Sequence, residues 1–132
     1  MKNNTLVSDK LKYISNDVYE QIKNYTIGKD DLYLTIAGTI GNVGIVPEQF
    51  DGMNLTENAV KLTNILINKN FLLHLLCSPV VQEQFVDKTN KVAQPKLAIE
   101  RILTTLVPLP PVEEQQRVVD KLETILPLIE KI

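Results

Sequence analysis

The sequence contains no tryptophan, one cysteine and one histidine, and its aromatics amount to four tyrosines and three phenylalanines. A lone Cys77 closes no internal disulfide, and with His74 as the sole imidazole no tetrahedral zinc set can be assembled, so disulfide scaffolds and zinc fingers are excluded. The same scarcity leaves no Ser-His-Asp or Cys-His arrangement of catalytic type. His74 and Cys77 stand one helical turn apart, a spacing that an ordinary helix explains without chemistry. No apolar run approaches the roughly 20 residues that cross a bilayer, and no signal-peptide pattern opens the chain. A cytoplasmic protein with no membrane contact is therefore expected. Neither sign of charge dominates, since 14 Lys and Arg face 16 Asp and Glu for a net charge of −2. Contact with phosphates would then depend on a local patch rather than on the sum.

What is present is the material of one domain. At 132 residues and 44% apolar content, the chain is long enough to bury about two-thirds of the surface its unfolded form exposes. "SNDVYEQIKNY" carries an N-cap at Ser15 or Asn16 and apolar residues at helical spacing, which predicts a short helix. In "LYLTIA", Leu32, Leu34 and Ile36 alternate with Tyr33, Thr35 and Ala37, the period of a strand with one apolar face. "VGIV" and residues 59–67 predict two further strands. "NKNFLLHLLCSPVVQEQFVDK" reads as a helix pair broken at Ser78-Pro79, "LAIERIL" as a short helix and "TTLVPLP" as a final extended strand at an edge or end. The fold class is α+β: a small mixed or antiparallel β-sheet with packed helices, followed by a long C-terminal coiled-coil helix.

Gly38, Gly41 and Gly44 punctuate "LTIAGTIGNVGIV". A phosphate-cradling loop takes the pattern G-x-G-x-x-G or ends in Gly-Lys-Ser/Thr, and a helix follows it. Here the spacing is G-x-x-G-x-x-G, no lysine follows, and the next residues are a strand and Pro47. The glycines are expected to form the corner between two antiparallel strands. Asp30-Asp31 could suggest a metal, but neighbouring strand residues point to opposite faces and turn polarity explains the pair better. No metal and no cofactor are predicted. From Asp87 to Arg101 the chain carries Lys88, Lys91, Lys96 and Arg101, a local basic bias that a solvated loop explains most simply and a phosphate contact explains as well.

The terminal helix has the most regular pattern. Val118, Leu122, Ile125, Ile129 and Ile132 repeat at intervals of four and three, the seam of a coiled coil, with Pro111 and the acidic pair Glu113 and Glu114 at its start. A seam pointing away from the domain implies a partner helix, and packing on the sheet of the same chain is the alternative. Pro127 predicts a kink.

Taken in order, "GKDDLYLTIAGTIGNVGIVPE", "LTENAVKL", "FLLHLLCSP" and "KVAQPKLAIERILTTLVPLPPVEEQQRVVDKLE" resemble the target-recognition domain of type I restriction-modification specificity subunits. "VPLPPVEEQQRVV" is the most specific stretch, a Pro-Pro step and a Glu-Gln pair opening a long helix. The resemblance implies a DNA-reading module without catalysis, partnered by double-stranded DNA, a modification (methyltransferase) subunit and, through it, a restriction subunit. Residues 1–110 would be a recognition domain, present once and short at its N-terminus, and residues 111–132 a helix for dimerisation or docking. Lys88, Lys91, Lys96 and Arg101 are then expected toward phosphates, with Thr89, Asn90 and Gln94 toward base edges and Thr39 and Asn42 of the glycine turn as further contacts. Val118, Leu122, Ile125, Ile129 and Ile132 would close a homodimer. The competing expectation is a remnant domain that no longer touches DNA and acts through its helix alone.

Overall fold

The computed structural model describes residues 4–86 and 96–131. Within them the architecture is α+β. Helix α1 (Asn16–Ile22) starts where the Ser15 Oγ accepts the Val18 N–H at 3.4 Å. Strand β1 (Thr26–Ile27) pairs antiparallel with β4 (Met53–Asn54), setting Thr26 opposite Asn54. A three-stranded antiparallel sheet has β2 (Leu32–Thr35) at its centre, between β3 (Val43–Ile45) and β5 (Ala59–Leu62). The alternation in β2 is expressed as expected: Leu32 and Leu34 are wholly buried, while Tyr33 and Thr35 are partly exposed.

Behind that face lie the helices. Asn68 caps α2 (Lys69–Cys77) by accepting the Phe71 N–H at 3.0 Å, and Pro79 ends the run, since it can open α3 (Pro79–Phe85) but not continue α2. Leu32, Leu34, Ile36 and Val43 from the sheet, Phe71, Leu73, Leu75 and Leu76 from α2, Val81 and Phe85 from α3, and Leu97 form the main core. Each such side chain contributes about 1.5–3 kcal/mol on burial. A smaller core of Ile27, Val46 and Phe50 sits under the two-stranded sheet. After α4 (Ile99–Leu103) the chain runs extended to α5 (Val112–Ile129), the longest helix at about 27 Å. No helix among the described residues is long and apolar enough to cross a membrane.

Three expectations need correction. "TTLVPLP" forms no strand and joins no sheet: its first residues close α4, and Gln84 supplies its side-chain amide to the next, accepting the Leu106 N–H at 2.9 Å and donating to the Leu106 carbonyl at 2.8 Å. The third strand ends at Leu62, and Asn64 adopts a φ of 54°, which turns the chain away from the ladder. The coiled-coil seam does not point wholly outward. Of the seam residues, Val118 packs against the main core and Leu122 is only partly exposed, and the core position on this helix is Val119, outside the seam, at 1% exposure. The fastener is Gln115, buried beside Val119, whose Oε1 accepts the Asn68 N–H at 3.1 Å while its Nε2 donates to the Pro110 carbonyl at 2.9 Å. Only the last turns remain free, with Ile125 and Ile129 exposed together with Leu126 and Leu128. The helix passes through Pro127 without interruption.

Candidate nucleic-acid interface

The glycine stretch is a hairpin corner between β2 and β3, as its sequence predicts. Thr35 organises it. Its N–H donates to the Asn42 carbonyl at 2.9 Å, its carbonyl accepts the Gly41 N–H at 2.9 Å, and its Oγ1 accepts the Asn42 N–H at 3.0 Å while donating to the Thr39 carbonyl. Gly38 and Gly41 take φ values of 74° and 87°, the left-handed region that glycine enters without steric cost. The backbone polar groups are thus turned inward. Thr39 and Asn42 are exposed, and among the described residues their side chains make no hydrogen bond.

Lys96 comes to the same corner. It pairs with Ala37 in an isolated antiparallel bridge, and Leu97 donates to the Ile36 carbonyl at 2.7 Å. On the other side, the Asn58 carbonyl accepts the Ile36 and Ala37 N–H groups at 2.8 and 3.3 Å. The corner is therefore held from both flanks, with an exposed cation two positions from Thr39 in the pairing register. Of the residues expected at DNA, the structure brings together Thr39, Asn42 and Lys96. Arg101 is on α4, where its guanidinium donates to the Gln84 carbonyl at 3.4 Å and helps tie α4 to α3. Lys88, Thr89, Asn90, Lys91 and Gln94 lie outside the described residues, as does Ile132.

Below the corner, an open groove of about 730 Å³ runs between α1 and α4 along β5. Ile22, Tyr25, Val60, Ile102 and Leu103 make it mainly apolar, with Lys61 and Lys96 at its wall. Elsewhere, titratable groups serve structure. The Asp31 carboxylate accepts the Gly28 N–H at 2.8 Å, which gives that member of the Asp30-Asp31 pair a role in the turn, and the Asp51 carboxylate accepts the Lys29 N–H of the same turn at 2.8 Å. Burial pushes the Cys77 thiol above its usual range, although the residue as a whole is exposed, which disfavours the thiolate a nucleophile needs. Burial likewise raises the Tyr33 hydroxyl, only partly offset by its hydrogen bond with Thr56.

The described residues thus form an α+β domain that presents a braced polar corner. Residues 2–132 match the family described as type I restriction modification DNA specificity domain, and the chain belongs to that family. It is 32% identical over 124 residues to the type I restriction enzyme EcoBI specificity subunit of Escherichia coli, a match that covers 92% of this chain and 26% of that protein. It thus spans about a quarter of the length of that curated relative. The crystal structure of the HsdS subunit from Thermoanaerobacter tengcongensis superposes with a TM-score of 0.66 at 25% identity, over 80% of this chain and 28% of that one. A second structure, from work on complex assembly and conformational transition of the type I R-M system, gives a TM-score of 0.67 at 26% identity, over 80% of this chain and 28% of its own.

Sequence reasoning missed the glutamines. Gln82, Gln84 and Gln115 each bind backbone far away in the chain, and no local pattern marks such a partner.

Proposed function

We propose that this chain is a DNA-recognition part of a type I restriction-modification system, reading one half of a split target and directing separate modification and restriction subunits. It carries out no catalysis itself and works in the cytoplasm, where the DNA is. The observation that supports this reading is the corner at 37–42, where a hydrogen-bonded backbone leaves the exposed Thr39 and Asn42 free to hydrogen-bond, with the exposed Lys96 paired to Ala37 at its edge. Asparagine can pair bidentately with adenine, and lysine adds sequence-independent attraction to phosphates.

The test is selection from a random duplex pool, with and without a modification subunit. Enrichment of a short motif supports the reading. No enrichment in either setting overturns it in favour of a docking module without DNA contact, a second reading favoured by the exposed Ile125, Leu126, Leu128 and Ile129. Lys96→Ala should weaken binding to specific and unrelated duplexes alike and lower the salt slope by about one. An unchanged slope would remove Lys96 from the contact.

The free end of α5 is the proposed dimer surface, through Leu122, Ile125 and Ile129, with Val118 shared between that seam and the chain's own core. Leu122→Asp with Ile125→Asp should convert a dimer to a monomer in sedimentation equilibrium. A dimer that persists in the double variant would refute this surface.

A further inference from the structure

Gln82 stands on α3, beneath the corner. Its Nε2 donates to the Gly41 carbonyl at 2.9 Å and to the Leu76 carbonyl at 2.6 Å, so one side chain joins the corner, α2 and α3. The fit is close. A Cβ added at Gly41 would lie 2.7 Å from Gln82 Oε1, whereas one added at Gly38 would meet nothing within 4 Å. One end of the corner is therefore seated on the helices and the other projects freely.

We infer that Gln82 is a positioning residue for DNA reading, fixing the exposed side of the corner so that Thr39 and Asn42 meet base edges already ordered. This rests on the DNA-recognition reading above. Two left-handed glycines within four residues would leave an unanchored corner wide conformational freedom, which it would have to lose on binding. The Thr35 bonds close the hairpin on itself, the Asn58 and Leu97 bonds hold its near end at Ile36 and Ala37, and the Gln82 bonds tie its far end at Gly41 to the helices. Phosphate attraction tolerates small displacements, but paired hydrogen bonds to a base edge do not. Loss of the clamp should therefore erode discrimination before it erodes affinity.

The experiment compares a duplex obtained by selection with a scrambled duplex, using the chain or its complex with the modification subunit where binding requires it. Gln82→Met keeps the side-chain length and removes both donors. The expected result is about a tenfold loss of discrimination, affinity for the scrambled duplex within about twofold, and no further loss when Gln82→Met is added to Thr39→Ala with Asn42→Ala. Should Gln82→Met fail to fold, Gln82→Asn replaces it, retaining the donors on a stem too short to span both carbonyls. Unchanged discrimination, or a loss that adds fully to that of the Thr39 and Asn42 substitutions, overturns the positioning role. A parent chain that does not discriminate at all overturns the underlying DNA-recognition reading instead.

Discussion

Val119→Asp should unfold the chain or lower its stability by about 3–5 kcal/mol, the cost of an uncompensated buried charge. Val119 is 1% exposed, within the core that joins α5 to α2 and the sheet. The polar side chains nearest in sequence are already engaged, with Gln115 bound to Asn68 and Pro110 and Gln116 to Asn68 and Asp120, so an aspartate at 119 gains no ready partner. A single domain has about 5–15 kcal/mol in total, which makes this loss close to decisive. Nearly three turns on, Ile129→Asp should change protomer stability by no more than about 0.5 kcal/mol, because Ile129 is 56% exposed. Urea denaturation followed by circular dichroism separates the two. Equal losses would mean that the whole of α5, and not only its first half, is packed within the protomer.

Gly41→Ala should cost about 3 kcal/mol and Gly38→Ala about 1 kcal/mol. Both positions lie in the left-handed region, where a side chain costs roughly 1–2 kcal/mol. The difference arises from surroundings. At Gly38 the space is open, but at Gly41 a methyl group would displace the Gln82 amide, which then loses two hydrogen bonds of about 0.5–1.5 kcal/mol each. Denaturation midpoints at constant slope give both values. Equal losses would show that Gln82 retreats without cost and that the clamp contributes little to folding.

Much of the scaffold was legible because its causes are local. The period of Leu32, Leu34 and Ile36 defines a strand face; Ser15 and Pro79 mark helix starts whose hydrogen bonds or φ restrictions span no more than a turn. The glycine corner followed from what surrounds it, since a strand and a proline cannot serve a phosphate loop. Two-residue strands such as Thr26–Ile27 and Met53–Asn54 offer no period to detect. Direction was also hidden. A repeat of four and three specifies a stripe on α5 but not the neighbour it meets, and the decisive contact, Gln115 to Asn68, joins residues 47 apart. The candidate site divided in the same way: its residue types were readable, whereas the docking of Lys96 beside Ala37 and of Gln82 beneath Gly41 is set by tertiary packing.

The Gln84 amide bears on how such a domain avoids sticking to its neighbours. Leu106 and Leu109 are 79% and 60% exposed on an extended run, a combination that invites a foreign strand to add alongside. By taking both backbone groups of Leu106, Gln84 acts as a β-partner one residue wide that presents no further edge. Pro108, Pro110 and Pro111 then remove three of the next five backbone donors. The apolar side chains can stay outward for a specific partner while the backbone offers an aggregating chain fewer donors to pair with.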